Sequence, residues 1–530
     1  MSATIRGVAS LRALLAGSIA ALVAVALAAA PAAASAPDEQ GGGLQRFETQ
    51  KLSWGPCAPF ARTPEDQKVF SDARFDCAYL EVPLDYSKPE GKTARIAMLR
   101  QKALDPAHRI GSLFVDPGGP GGSGVTFLPA LSGLIGEGDV AKRFDLIGFD
   151  PRGVGVSEPT IDCSTSADID ADRIDNDRFD PSPEGVAATE SGYREFAQRC
   201  VDRVGLDVLA NVGTRDVARD LHIAHQAVGD QKLSYLGYSY GTSIATHYAE
   251  QFPDDVRALV LDGAIDPSLG PVESRVTQSR GFQRAFDNFA AECAKHPDCA
   301  LGADAKEASA RLQQLMRPLL TKPVPATPPR TLGYNDAMTG VITAMYAQSL
   351  WPLLGGALTE LTHGDGTTLL RLADAYYERR PDGSYSNLIE AFQVISCADT
   401  EPLEDRSVAR EISEQSIKLA PFSDPGTGPS DALEQCSFWP VPPTSKPGPV
   451  QAEGLPTVLV VSSTGDPATP YEDGVSLAKQ MGARLLTVEN DGHTIVLQAA
   501  NKCADDTTTR YLVDLTLPAT DTTCAAAPPA

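Results

Sequence analysis

Leu233-Ser234-Tyr235-Leu236-Gly237-Tyr238-Ser239-Tyr240-Gly241-Thr242 is the stretch that decides how this chain folds. Leu233 to Tyr238 reads as a short strand, and Ile244, Tyr248 and Phe252 recur at helical spacing after Thr242. Strand, G-x-S-x-G and helix together make a nucleophile elbow, with the serine on a tight turn. Small residues two before and two after it let strand and helix pack closely enough to push its Oγ into a cleft. Alone the pattern is weak, because a chain with 45 glycines matches it by accident. A base, an acid and oxyanion donors must surround it.

Outward from the elbow, short apolar runs alternate with helical stretches, the pattern of a mostly parallel sheet wrapped by helices. The predicted strands are Ala78–Val82, Ala94–Leu99, Ser112–Asp116, Phe144–Phe149, Leu233–Tyr238, Ala258–Asp262, Thr457–Ser462 and Arg484–Glu489. The elbow then follows the fifth strand. A gap of about 190 residues separates the sixth from the seventh. It is helix-rich, interrupted by prolines between Pro323 and Pro329, and closed by W-P-V-P-P-T-S-K-P-G-P ending at Pro449. The expected class is α/β: an α/β-hydrolase fold with an eight-stranded, mostly parallel sheet and a large helical cap inserted after strand six. The core spans 37–270 and 450–524, the cap 271–449, and residues 525–530 form a disordered tail.

The N-terminus reads as a separate object. Arg6 and Arg12 precede an apolar stretch from Leu14 to Ala30, followed by P-A-A-A-S-A, the layout of a secretory signal peptide over residues 1–36. Cleavage after Ala34 is preferred to cleavage after Ala36, since Pro37 makes a poor first residue. A membrane anchor is the rival reading, but the segment is mostly alanine and short for a span. Ten cysteines in an exported chain of 530 residues imply disulfides. The simplest connectivity joins sequential neighbours: 57–77, 163–200, 293–299, 397–436 and 503–524. Neither a C-x-x-C pair nor a histidine cluster offers zinc spacing. The net charge of −24 argues against nucleic acid or an anionic membrane as partner.

A serine nucleophile needs a base, a carboxylate to orient it, and oxyanion donors, in the chain order Ser, acid, His. His108, His222, His225 and His247 precede or lie near the elbow, and His296 and His363 fall in the cap; all six read as surface or packing residues. His493 follows the last predicted strand in E-N-D-G-H-T. Asp466 follows the seventh, in S-S-T-G-D-P-A-T-P, 27 residues before His493, with Thr469 placed to bond it or brace its loop. Asp491 competes as the acid, but two residues from the histidine it is expected to face solvent. The oxyanion donors are expected from the N–H of Tyr240 and, after the third strand in F-V-D-P-G-G-P-G-G-S-G, from that of Gly119.

These pieces, with F-D-L-I-G-F-D-P-R-G-V-G-V-S, T-R-D-V-A-R-D-L, V-L-D-G-A-I-D-P, I-S-C-A-D and C-x-x-W-P, resemble the secreted tripeptidyl aminopeptidases of the actinobacterial α/β-hydrolase type, relatives of the proline iminopeptidases. The likeness covers roughly residues 50–505. One departure is Asp116, which stands where the family usually has His or Asn before the glycine loop. The resemblance implies a secreted serine exopeptidase that releases short peptides, tripeptides in the leading reading, through an acyl-enzyme without metal or organic cofactor. A secreted carboxylesterase and a non-catalytic binding protein are the alternatives. Reading a free N-terminus calls for a carboxylate near the closed end of the cleft. Asp399 in I-S-C-A-D is the first candidate and Glu273 the second, with Asp266 also in view. Peptide or protein N-termini are the expected partners, stable membrane insertion is not expected, and a monomer is the working expectation.

Overall fold

The computed structural model describes residues 40–520 and 522–526. The chain divides into residues 1–42 and 43–530, and the sheet belongs wholly to the second unit. The signal peptide expected over 1–36, its cleavage site and residues 527–530 of the expected tail lie outside the described residues. Ala525 is described, and its carbonyl accepts from Asn501 Nδ2 at 2.9 Å.

Among the described residues the sheet has ten strands rather than eight: β1 (Gly55–Pro56), β2 (Phe75–Pro83), β3 (Thr93–Gln101), β4 (Gly111–Asp116), β5 (Phe144–Phe149), β6 (Leu233–Tyr238), β7 (Val256–Asp262), β8 (Leu459–Ser463), β9 (Arg484–Val488) and β10 (Thr522–Cys524). Their spatial order is β1-β2-β3-β5-β4-β6-β7-β8-β9-β10. The pairs β1–β2, β2–β3 and β3–β5 are antiparallel; the others run parallel. All eight expected strands are present, and the two additions are short pieces at the edges.

β4 to β8 are near-continuous apolar runs because both faces of the sheet are covered. Successive residues alternate between two cores. Phe114, Ile147, Tyr235, Leu259 and Val460 pack on one face, against the helices Thr214–Ala227 and Gly241–Gln251. Leu113, Leu146, Leu236, Val260 and Val461 pack on the other, under Gly124–Ile135 and Lys502–Asp514. Register then aligns the strand ends that matter: Asp116 pairs with Gly237, Tyr238 with Asp262, and Asp262 with Val461. One edge of the sheet thus collects the turns after β4, β6, β7 and β8.

Between β7 and β8 the chain forms helices and a small two-stranded hairpin, Val324–Pro325 with Thr331–Leu332. Much of this insertion has its own core, including Phe286, Phe289, Leu312, Tyr334, Trp351 and Phe422. The helix Leu388–Asp399 departs from that scheme: Ala391, Val394, Ile395 and Ala398 join the cluster of the main sheet. The stretch expected as one cap over 271–449 is therefore continuous in sequence but divided in its packing.

All five cysteine pairs bond as sequential neighbours: Cys57–Cys77, Cys163–Cys200, Cys293–Cys299, Cys397–Cys436 and Cys503–Cys524. Among the described residues no helix is long and apolar enough to cross a membrane.

Candidate active site

The elbow forms because Gly237 and Gly241 permit it. A Cβ at Gly237 would stand 2.5 Å from the Gly241 carbonyl oxygen, and one at Gly241 would stand 3.0 Å from that of Asp116. Ser239, on the turn between them, has φ of 53°, a left-handed conformation that costs a non-glycine residue on the order of 1–3 kcal/mol. Neighbouring bonds hold it there. Its N–H donates to Asp262 O at 2.8 Å, while its carbonyl accepts from Thr242 N at 2.9 Å and Thr242 Oγ1 at 2.7 Å.

The turns after β8 and β9 are tied together by Gly465 N donating to Asn490 O at 2.9 Å. Asp466, wholly buried, accepts from Ala468 N and Thr469 N at 2.9 Å and from Thr469 Oγ1 at 3.0 Å. Both of its carboxylate oxygens lie 2.9 Å from His493 Nδ1. An imidazole donating Nδ1–H to that carboxylate keeps Nε2 as its basic nitrogen. Burial pulls the His493 pKa down, but the charge and hydrogen bond of Asp466, with a smaller push from Asp262, outweigh it and leave the pKa raised. The ring lies against the turn after β7: its Cε1 would be 3.2 Å from a Cβ at Gly263, the residue after the Asp262 whose carbonyl accepts from Ser239 N.

Two supports of the histidine were not identified from the sequence. Asp262, fully buried at the end of β7, accepts from Ile495 N at 2.6 Å and Val496 N at 2.8 Å through Oδ2, which anchors the segment just after the histidine. Burial, opposed by those two bonds, raises its carboxyl to about 6. Tyr346, from the insertion, accepts His493 N at 2.9 Å and sets its ring edge-on to the imidazole, centroids 5.4 Å apart. Only the first had a legible signal, the D-G directly after a predicted strand.

The glycine loop after β4 reaches the elbow. A Cβ at Gly118, whose φ is +93°, would stand 2.9 Å from Ser239 Cβ and 3.0 Å from Tyr240 N. Gly118 N donates to Asp116 Oδ1 at 2.8 Å. Among the described residues the N–H groups of Gly119 and Tyr240 meet no internal acceptor. Asp150 fastens the far end of the loop, accepting from Ser123 Oγ at 2.6 Å, Val125 N at 3.0 Å and Val156 N at 2.8 Å.

Asp116 is 1% exposed, and its Oδ2 has no hydrogen-bond partner. Burial, only partly offset by the bond from Gly118, pushes its carboxyl up to about 8. A carboxyl whose folded pKa is raised contributes stability that is full below its unfolded value, near 3.8, and is lost as pH rises through the folded one. Wild type is therefore expected to lose thermal stability between pH 5 and pH 9, and Asp116→Asn to lose distinctly less. Melting curves of both proteins across that range check this; equal losses would rule Asp116 out as the titrating group.

Asp399 is not positioned as a free acceptor. Its carboxylate takes Thr214 N at 3.0 Å, the Thr214 hydroxyl, and Thr444 Oγ1 at 3.1 Å. Thr214 Oγ1 in turn lies 2.5 Å from the hydroxyl of Tyr240. The carboxylate thus braces the start of the helix Thr214–Ala227 and, through it, the residue after Ser239. Glu273 is exposed in the first turn of the helix Pro271–Cys293. Asp266 is taken by Ser268 Oγ at 2.6 Å and Gln480 Nε2 at 2.7 Å. Asp491 does not simply face solvent: it accepts from Asn288 Nδ2 at 2.8 Å and so ties the histidine loop to the insertion. His222 stacks on Phe252 at 3.9 Å and edge-on to His225, a packing role for both. Among the described residues no group of three or more His, Cys, Asp or Glu is arranged to hold a metal ion.

Residues 113–358 match the alpha/beta hydrolase fold model, and residues 422–524 match the model described as TAP-like protein. The chain is 43% identical over 495 residues to the serine protease Hip1 of Mycobacterium tuberculosis, covering 91% of this chain and 93% of that protein. It is 43% identical over 498 residues to a carboxylesterase B of the same organism, covering 93% and 94%. It is 30% identical over 489 residues to the tripeptidyl aminopeptidase of Streptomyces lividans, covering 89% and 86%. An elbow serine, an Asp–His pair after the next strands and relatives over about nine-tenths of its length lead to one conclusion: the chain belongs to the TAP-like α/β-hydrolases and is a serine hydrolase of peptidase type.

Proposed function

We propose that the protein is a secreted exopeptidase that releases short peptides, tripeptides in the leading reading, from free N-termini. The observation that carries the chemistry is the Asp466–His493 pair, its carboxylate buried, in a fold whose β6 ends in the strained turn of Ser239. Ser239 Oγ attacks the scissile carbonyl while His493 Nε2 takes its proton, oriented by Asp466. The N–H groups of Gly119 and Tyr240 stabilise the tetrahedral oxyanion. His493 then protonates the leaving amine, and water releases the acyl peptide by the same steps in reverse. Substrates are peptide or protein N-termini, and the part of residues 271–449 that has its own core forms the cap that limits how much chain enters. The five disulfides support export. Asp399 we assign to holding Tyr240, and Glu273 to the surface.

An esterase reading is favoured by one observation, the similarity to a protein named carboxylesterase B. One assay separates the two. Purified protein is given a tripeptide anilide, its N-acetylated form and a short-chain nitrophenyl ester. Turnover of the free-amine anilide well above the acetylated one is expected. Equal turnover of both anilides would remove free-amine recognition, ester turnover alone would leave the esterase, and no turnover at all would leave a binding protein.

A further inference from the structure

We propose that Asp262 and Tyr238, the last residues of β7 and β6, form a clamp that fixes His493 relative to Ser239 and keeps its imidazole basic; this rests on the reading of Ser239 and His493 as nucleophile and base. The two residues stand side by side at the ends of neighbouring strands, Tyr238 paired with Asp262. Both reach the same dipeptide just beyond the histidine. Asp262 Oδ2 accepts from Ile495 N at 2.6 Å and Val496 N at 2.8 Å, while the Tyr238 hydroxyl donates to Val496 O at 2.8 Å. The nucleophile hangs on the same pair. Ser239 follows Tyr238 in the chain, and its N–H donates to the Asp262 carbonyl at 2.8 Å.

The clamped segment is one that needs holding. Thr494 has φ of 59° and Leu497 φ of 57°, so left-handed residues other than glycine flank Ile495 and Val496. For a β-branched threonine that is an outlier, and it persists only where the surroundings over-determine it. Three hydrogen bonds on two adjacent residues supply that constraint. Asp262, Tyr238, Ile495 and Val496 are each no more than 2% exposed, so water does not compete for these bonds.

The clamp also carries charge. Asp262 Oδ1 is closed to solvent and has no hydrogen-bond partner. Burial raises the Asp262 carboxyl, the bonds from Ile495 and Val496 lower it, Asp466 pushes it up and His493 pulls it down. In return Asp262 adds to Asp466 in favouring the imidazolium of His493. Two tyrosines complete the titratable groups around the pair. Tyr238 stays neutral, because burial, helped by Asp262 and Asp505, pushes its hydroxyl well above the ordinary value. Tyr346, edge-on to the imidazole at 5.4 Å, is likewise pushed up by burial. His493 becomes an imidazolium when it takes the Ser239 proton, so a second carboxylate favours that step. Asp262 acts through the histidine and is a positioning residue.

Asp262→Ala, Asp262→Asn and Tyr238→Phe are compared with wild type on a tripeptide anilide and nitrophenyl acetate. Asp262→Ala loses both charge and bonds, and is expected to lower kcat on both substrates by about 10²-fold, with KM little changed because the side chain is buried. Asp262→Asn keeps an oxygen able to accept from both N–H groups but loses the charge. Its kcat on the alkaline plateau is expected to fall by no more than about 10-fold, and the acidic limb of its kcat/KM profile to move to lower pH. Tyr238→Phe loses one bond and no charge, so kcat is expected to fall about 3- to 10-fold with the limb in place. This variant keeps the ring and tests the clamp even where the Asp262 variants fail to fold. An unmoved limb in Asp262→Asn would leave Asp262 a structural anchor only and overturns the proposal, as does wild-type kcat in Asp262→Ala or in Tyr238→Phe. No turnover by the wild type, or wild-type turnover in Ser239→Ala, defeats the reading of nucleophile and base itself, and the clamp with it.

Discussion

Ser239→Ala is expected to lower kcat on a tripeptide anilide by about 10⁶-fold, with the fold and melting temperature preserved. The side chain removed is one oxygen on a turn held by backbone bonds from Asp262 and Thr242, so nothing structural depends on it. Alanine also relieves no strain, because the φ of 53° is imposed by the turn and not by the hydroxyl. His493→Ala is expected to cost about as much, and the double variant no more than either alone, since the residues act as one unit. Residual turnover above water would come from the oxyanion donors and binding. Active-site titration with an acylating inhibitor, alongside kcat, provides the check: a Ser239→Ala protein that still acylates and turns over at the wild-type rate would place the nucleophile elsewhere.

Gly118→Ala is expected to reduce kcat/KM by at least about 10²-fold, a loss on the scale of a 1 Å misplacement of reacting groups. The added methyl would stand 2.5 Å from Tyr238 O, 2.9 Å from Ser239 Cβ and 3.0 Å from Tyr240 N. Rigid backbone meets it on two of those three sides, so the loop or the elbow must shift. The last contact crowds the backbone nitrogen of Tyr240, the expected oxyanion donor. The φ of +93° adds backbone strain. Gly136→Ala separates the two effects: its φ is also positive, at 59°, but a Cβ there meets nothing within 4 Å. The control is expected to lose stability without losing activity in the remaining folded protein. Equal kinetic losses in both would mean that strain, and not the collision at the elbow, is responsible.

Much of the architecture was legible because it rests on local patterns. Apolar runs of the right length mark all eight strands expected from sequence, since a sheet covered on both faces demands them. β1 escaped notice because two residues carry no periodicity, and β10 because Thr522-Thr523-Cys524 is largely polar. β10 pairs with β9 while its Cys524 is bonded to Cys503. The helix Leu388–Asp399 was read with the cap because it lies inside a long insertion, yet its apolar face packs on the main sheet. Sequence position says where a segment is inserted, not what it packs on.

The candidate site divides in the same way. Ser239, Asp466, His493 and the glycine loop were readable by themselves, each standing directly after a strand at a spacing that strand order explains. Asp399 illustrates the limit: an acidic residue beside a disulfide looks available in sequence, whereas its oxygens are taken by Thr214 and Thr444, 185 and 45 residues away. The sequence alone marked the elbow, the strands in chain order and the simplest pairing of the cysteines, because these are read from neighbours along the chain. Only the tertiary structure decided that Asp262 anchors the histidine loop, that the Tyr346 carbonyl accepts from the His493 N–H and that Asp116 is sealed from water. Those properties arise from contacts between distant segments and from the exclusion of water, and neither leaves a spacing that a sequence displays.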